Sequence, residues 1–392
     1  MNTALPEPGA DERALSDRLA ASIRAEIAAS GPMPFSRYMT ACLYAPGLGY
    51  YSAGRTKFGA SGDFVTAPEL GPLFARSIAR ALAPVLRELG DAADFVELGG
   101  GSGAFALDAL REFAALDALP RRYRILEPSA DLRQRQRERA ARELPDELAQ
   151  RVEWIERPPE EPWRGVLFAN EVVDALPATR FAMLDGEVFE EHVAVDGERL
   201  VCVDRPADGL VGSAVRVVER SLGAPFDDGY RSEILPQLPY WMQAIGATLE
   251  AGAMLFVDYG YPRREFYLPE RRDGTLVCHY RHRAHADALL WPGLQDITAF
   301  VDFTALAEAG TGAGFDFAGY APQGAFLLAS GLAEIVASAP EGSDLERLRR
   351  AAETKRLTLP GEMGERFQVM AFARGVEGVL PGLRAVDRSR RL

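Results

Sequence analysis

The sequence predicts an α/β chain. A mostly parallel sheet with helices on both faces follows a helical N-terminal segment and is interrupted by a β-rich insertion. Three observations carry this. From Asp94 onward, short apolar runs alternate with helix-patterned stretches, which is the rhythm of a parallel sheet. The run Phe95–Val96–Glu97–Leu98 ends at the glycine-rich turn Gly99, Gly100, Gly101, Ser102, Gly103. Residues 180–203 break the rhythm: they alternate apolar and polar around Asp185–Gly186 and Asp196–Gly197, which are hairpin pairs.

In chain order, residues 12–29 carry Leu15, Leu19, Ile23 and Ile27 at helical spacing. Phe35 to Leu43 reads as a second helix, closed by Pro46–Gly47, and residues 70–89 as a third. Strand 94–98 leads through the turn to helix 104–115. Strand 122–127 leads to helix 129–143, whose charges suggest an exposed element. Strands 151–155 and 165–169 follow. Residues 232–250 read as one helix and 253–258 as the next core strand. Residues 260–298 read as a long loop region with a single strand at 275–280. A helix at 302–310, a strand near 315–320, helices at 325–337 and 344–357 and a last strand at 366–373 complete the pattern. The expected segments are a helical start with a lid loop (1–90), the first half of the core (91–178), the insertion (179–231), a core continuation (232–258), a substrate-side excursion (259–300), the end of the core (301–376) and a tail (377–392).

Composition narrows the function. With 392 residues, 47% hydrophobic and 26% charged, the chain has the make-up of a globular protein. A net charge of −13 argues against a nucleic-acid partner. Cys42, Cys202 and Cys278 are odd in number and far apart, so a disulfide framework is not expected. The start of the chain carries Glu7, Asp11 and Glu12 without an apolar or Arg-rich run, which reads as neither a secretory nor a transit signal. No apolar stretch is long enough to span a membrane. A cytoplasmic location is the expectation from these features.

The turn after the first strand names the ligand class. Gly99, Gly101 and Gly103 let the backbone turn sharply, and the free N–H groups of the next helix face what binds there. Gly99-x-Gly101-x-x-Ala104 fits a dinucleotide fingerprint. Glu97, two residues ahead, argues against it, because a carboxylate repels a pyrophosphate. It suits a ligand with an ammonium group and a positive centre. S-adenosylmethionine has both and no phosphate. Glu127 can accept hydrogen bonds from both ribose hydroxyls, and Trp154 and Ile155, at the end of the third strand, can cover an adenine. Both acids sit at carboxyl ends of adjacent strands, where ligands bind in open α/β sheets. The alternative is two solvated loop acids.

Glu97-x-Gly99-x-Gly101 with Glu127 resembles the cofactor motifs of class I methyltransferases. Further stretches resemble one branch, the MidA-like family: residues 34–51, 59–70, 97–103, 170–177 (NEVVDALP), 258–261 (DYGY), 292–303 (PGLQDITAFVDF) and 361–372. They cover nearly the whole chain in one order. Gly100 stands where the family usually has proline. The resemblance implies a Rossmann-like class I methyltransferase fold with one antiparallel strand near the end, S-adenosylmethionine as cofactor, and a lid loop at 59–70 with Thr66 and Pro68 at the cofactor. It implies transfer of methyl groups to an arginine of a protein, symmetrically to two, on a respiratory complex I subunit.

Asn170–Glu171–Val172–Val173–Asp174 follows the fourth core strand, the place that faces sulfonium and nucleophile in methyltransferases. Glu171 and Asp174, with Asn170, are the expected catalytic residues, and Asn170 is also expected at the cofactor. Paired carboxylates hold a guanidinium in bidentate fashion and position it for in-line transfer. The other reading of these acids is a favourable helix start. Asp258 and Tyr259 end the fifth strand on the same rim, and His282 is similar in place to a family histidine, so these three are expected on the substrate side. Cys278, His279, His282 and His285 invite a metal, but Arg281 and Arg283 oppose a cation and no metal is expected. Asp296 and Asp302 read as caps for the following helix. Two rival functions share the cofactor features: a methyltransferase for a small molecule or another side chain, and an assembly factor that binds S-adenosylmethionine without turnover.

Overall fold

The structure is a computed structural model that describes residues 5–53, 66–340, 342–377 and 380–392. The chain folds as two units, each drawn from separated stretches rather than from consecutive segments.

The larger unit, residues 65–173, 238–262 and 301–392, carries the central sheet. Its main strands are β1 (Asp94–Leu98), β2 (Arg122–Leu126), β3 (Val152–Ile155), β4 (Trp163–Asn170), β5 (Leu249–Tyr261), β6 (Asp316–Pro322) and β7 (Phe367–Arg374). They lie in the order β6-β7-β5-β4-β1-β2-β3. β1, β2, β3, β4 and β5 pair in parallel, and β7 runs antiparallel to β5 and β6. This is the antiparallel strand that the resemblance implies. Every residue of β1 is buried, so both faces of the sheet are covered there. Helix Leu73–Leu89 packs against helix Ala104–Ala115, and helix Leu238–Gly246 against helix Phe303–Gly312. An aromatic floor supports the start of the sheet: Phe95 stacks on Tyr123 at 4.8 Å and Phe105 on Phe168 at 4.2 Å. Glu112, buried on the helix after the turn, is bracketed by Arg76 and Arg80 at 2.6 and 2.8 Å.

β1 and β4 are neighbours, yet β1 connects onward to β2 on one side and β4 to β5 on the other. The strand order reverses between them. Loops at such a point diverge and leave a crevice at the carboxyl ends of the strands. The glycine turn follows β1, and the Asn170–Glu171 step ends β4.

The smaller unit, residues 1–64, 174–237 and 263–300, is antiparallel. Thr179–Leu184, Glu187–Asp196 and Arg199–Pro206 form the expected meander, turning at Asp185–Gly186 and at Gly197. Leu19, Ile23 and Ile27 of helix Ala10–Ser30 pack with Phe35, Tyr38, Met39 and Leu43 of helix Phe35–Tyr44 in its core.

Several expectations are corrected. Residues 232–250 are not one helix: a strand, Arg231–Ile234, is followed by helix Leu238–Gly246 and the start of β5. Pro236 lies between strand and helix, and proline ends backbone hydrogen bonding from its own nitrogen. Residues 260–298 are not mainly loop. Val277–Tyr280 pairs with Arg283–His285 and with Asp296–Thr298 in a small antiparallel sheet. A helix at Gly209–Leu222, which the sequence reading lacked, is capped by Asp208 accepting from Val211 N–H at 2.8 Å. The helix expected at 325–337 is two, broken at Gly331. No described helix is long and apolar enough to cross a membrane.

Candidate active site

The turn after β1 has the backbone its glycines allow. Gly99, Gly101 and Gly103 have φ of 66°, 53° and 83°, the left-handed region that side chains disfavour. Gly103 starts helix Ala104–Ala115, so the helix's first N–H groups rise from the turn. A Cβ on Gly100 would sit 2.6 Å from Ile125 Cγ2. Glycine at this place lets the turn lie against β2, and the departure from the family's proline leaves the turn intact.

Glu97 is buried at the end of β1 and accepts a hydrogen bond from Tyr123 Oη at 2.8 Å. Burial pushes its carboxyl up to about 7, and the nearby Glu127 charge adds to this while the Tyr123 bond opposes it. A cationic group beside Glu97 would restore its charge. Glu127, also buried, follows β2. Its Oε1 accepts the Ser129 N–H at 2.9 Å, and its own N–H bonds Ile155 O at 3.1 Å. Ile155 thereby stands at the Glu127 backbone. Trp154 is committed differently: its indole N–H donates to Gln136 Oε1 at 2.9 Å, and Arg137 lies over its ring at 5.3 Å. Trp154 therefore supports the turn through Gln136.

Gln136 was missed by sequence reasoning. Its amide nitrogen donates to Gly101 O at 2.9 Å and to Glu127 Oε2 at 3.4 Å. The available trace was the buried stripe Leu132, Gln136, Ala140 at four-residue spacing in a helix that otherwise reads as charged.

At the end of β4, Asn170 Nδ2 donates to Glu171 Oε1 at 3.2 Å. Asn170 Oδ1 is buried without a hydrogen-bond partner among the described residues. Glu171 has φ of 53°, outside the usual range for a residue with a side chain, at a cost of about 1–3 kcal/mol. Its N–H is held by Val257 O at 2.9 Å. The side chain of Val172 approaches the glycine turn: a Cβ on Gly99 would meet it at 3.3 Å. Asp258, expected on the substrate side, is buried and accepts the N–H groups of Val173 at 3.0 Å and Tyr259 at 2.9 Å. It braces the Glu171–Val173 turn. Tyr259 packs edge-on against Phe367.

Thr66 is buried and precedes helix Ala67–Leu70, which contains Pro68. Glu69 of that helix hydrogen-bonds Ser102 Oγ of the glycine turn, and Arg139 donates to the same oxygen at 2.7 Å. The lid expected around Gly59, Gly62 and Asp63 lies outside the described residues.

Two expected residues belong to the smaller unit. Asp174 is buried there, its carbonyl accepts the Ala299 N–H at 3.0 Å, and its charge helps push the buried Tyr51 phenol up, after burial itself and Asp296. His282 is exposed, with φ of 60° at the tip of the hairpin that pairs Cys278 with His285. Asp302 of the larger unit caps the following helix as expected, accepting from Thr304 and Ala305 N–H at 3.0 and 3.1 Å. Asp296 does not cap; it accepts from Tyr51 Oη at 2.9 Å.

These residues fit S-adenosylmethionine. The turn is a cradle of left-handed glycines, the acids Glu97 and Glu127 match an ammonium and ribose hydroxyls, and Asn170 Oδ1 is a buried acceptor still to be satisfied. A pyrophosphate would face two carboxylates.

The comparisons agree. Residues 77–321 match the family model of S-adenosyl-L-methionine-dependent methyltransferases. A crystal structure from Burkholderia thailandensis, solved with S-adenosyl-homocysteine bound, is 43% identical, with a TM-score of 0.93 over 99% of this chain and 100% of that one. Among curated relatives, the protein arginine methyltransferase NDUFAF7 homolog, mitochondrial, of Drosophila melanogaster is 29% identical over 94% of this chain and 88% of its own length. The human protein arginine methyltransferase NDUFAF7, mitochondrial, is 27% identical over 88% and 81%. The cytoplasmic expectation is overturned here, because these relatives are named as mitochondrial proteins. The absence of an Arg-rich start, on which it rested, does not decide location. S-adenosyl-L-methionine is the cofactor, and the chain belongs to the S-adenosyl-L-methionine-dependent methyltransferase family.

Proposed function

We propose that the enzyme methylates the guanidinium of an arginine in a protein substrate, transferring two methyl groups symmetrically, and that the substrate is a respiratory complex I subunit. The observation that carries the acceptor class is Glu171. Its backbone is held in the left-handed region at the end of β4, and the amide of Asn170 orients its carboxylate. Strain of this kind persists where the surroundings impose it, as at functional sites. The curated relatives are named for arginine methylation, which supports the same acceptor. Complex I and the symmetric product rest on the family resemblance.

The cofactor, when bound, supplies a methyl group activated on a sulfonium. Glu97 binds its ammonium, and Glu127 accepts from the ribose hydroxyls, with Ile155, Thr66 and Pro68 as the remaining contacts proposed for the pocket. Glu171 takes the guanidinium through charge-assisted hydrogen bonds and localises its positive charge on the nitrogens that do not react. The attacking nitrogen keeps its electron density. Positioning then provides much of the rate: the nitrogen–methyl bond would form as the sulfur–methyl bond breaks, and the nitrogen's proton, acidic once the methyl has moved, would leave to solvent, so no strong base is required beforehand. Asp174 is the second acid proposed from the sequence, with Tyr259 and His282 proposed for substrate contact.

The test uses labelled S-adenosylmethionine with the purified enzyme and a mitochondrial extract, followed by mass spectrometry of modified residues. Symmetric dimethylarginine on a complex I subunit is the expected product. Label confined to lysine or to small metabolites overturns the arginine acceptor, and cofactor binding without any transfer would leave a binding factor.

A further inference from the structure

Gln136 lies on helix Ala130–Glu143 and is 2% exposed, and its amide is shared between the cofactor turn, Glu127 and Trp154. An indole N–H can only donate, so the bond from Trp154 fixes which end of the amide faces it: the oxygen. The amide nitrogen then faces two acceptors, Gly101 O at 2.9 Å and Glu127 Oε2 at 3.4 Å. The other Glu127 oxygen is oriented by the Ser129 N–H at 2.9 Å. The turn also rests against this side chain, since a Cβ on Gly103 would touch Gln136 Cγ at 3.5 Å.

We infer that Gln136 is a positioning residue for the ribose end of the cofactor. It ties the carbonyl of the glycine turn to the carboxylate after β2 and sets that carboxylate's orientation before ligand arrives. Trp154 acts one step further out, by orienting the amide. The inference rests on reading Glu127 as the acceptor for the ribose hydroxyls. A donated N–H on one carboxylate oxygen leaves the remaining lone pairs aimed in a defined direction, and preorganised acceptors bind without the entropy loss of being ordered on contact. A neutral donor is also what this place requires, because a second carboxylate here would repel Glu127, and an aliphatic side chain would leave the Gly101 carbonyl without its partner.

Calorimetric titration tests this with S-adenosyl-homocysteine and its 2′,3′-dideoxy analogue, on the full chain and on Gln136→Met, which keeps the length of the side chain and removes both N–H groups. Gln136→Met is expected to lower affinity for the hydroxyl-bearing ligand about tenfold, the worth of one hydrogen bond to a charged group, and to leave the dideoxy ligand within about twofold. In a Glu127→Ala background the hydroxyl-selective part of the Gln136→Met effect should vanish, since the two act as one on the hydroxyls, leaving only what the Gly101 bond contributes to both ligands alike. Equal losses for both ligands, or effects that simply add, overturn the inference and make Gln136 a packing residue. If Gln136→Met does not fold, Trp154→Phe removes the orienting N–H along with part of the ring under Arg137; the lost ring area acts on both ligands alike, so the variant must still show the same selectivity for the hydroxyls, and its absence is equally fatal. Glu127→Ala separates the two levels. If it costs the hydroxyl-bearing ligand nothing, the pocket reading itself fails. If it costs and Gln136→Met does not, only the positioning role fails.

Discussion

The ends of β1 and β2 and the end of β4 are built in opposite ways. At β1 and β2 the left-handed positions are taken by glycines, and buried acids carry defined partners: Tyr123 for Glu97, Ser129 and Gln136 for Glu127. At β4 the left-handed position is taken by Glu171 itself, and the neighbouring Asn170 keeps a buried oxygen without a partner among the described residues. The first region is preorganised at low backbone cost. The second carries strain and an unmet acceptor. The methyl donor and its spent form share the same ammonium and ribose, so one relaxed set of partners serves both, and the strain is confined to the half proposed for the acceptor.

Substitutions can break this contrast from either side. Gly101→Val attacks the relaxed half. A β-branched residue at φ of 53° costs about 3 kcal/mol at the upper end of such strain; the free turn would relax out of this conformation and have to be forced back on binding, which converts to roughly hundredfold in affinity. Calorimetry should show cofactor affinity falling by about that much, and an unchanged value would place the ligand elsewhere. Glu171→Gln attacks the strained half. The amide keeps the shape and loses the charge, so turnover should drop about thirtyfold, corresponding to one charge-assisted hydrogen bond, while cofactor affinity stays level. Loss of affinity instead of turnover would move Glu171 into the cofactor half and remove the contrast.

The same contrast explains what the sequence revealed. β4 and β5 carry apolar runs, β1 and β2 are short strands with charged residues among the apolar ones, and the turn is written in glycines, so fold and cofactor class were legible. Glu171 was legible as an acid, but its left-handed backbone was not, because only a glycine or asparagine would have announced it. Asp258 is readable as an acid because DYGY ends a strand; that it also accepts the Val173 N–H depends on the register of β5 against β4, which no local pattern states. Gln136 is a neutral residue in an arginine-rich helix, and its importance comes from Trp154, eighteen positions on. The helix at Gly209–Leu222 was bounded by a readable Asp208 cap and a left-handed Gly223, and these were overlooked beside the hairpins preceding them. The three-stranded sheet within 277–298 is made of strands too short for periodicity to register.

The smallest effect concerns Glu97. Its carboxyl is pushed up to about 7 by burial and by Glu127, against the pull of Tyr123. A raised carboxyl binds its proton more tightly in the folded protein than in the unfolded chain. Its contribution to stability is therefore complete below the ordinary carboxyl range and falls as pH rises through about 7. Glu353, whose carboxylate accepts the Leu73 N–H at 2.7 Å, is also pushed up to about 7 by burial, so it slopes the same way and melting curves alone would mix the two. Ligand affinity separates them. The cofactor's ammonium needs the ionised form of Glu97, so affinity should rise about tenfold from pH 6 to pH 8 as that proton leaves. In Glu97→Gln the rise should disappear and affinity should sit at the low-pH value throughout. A pH slope that survives in Glu97→Gln would assign the titration to another group and weaken the reading of Glu97 as the partner of a cation.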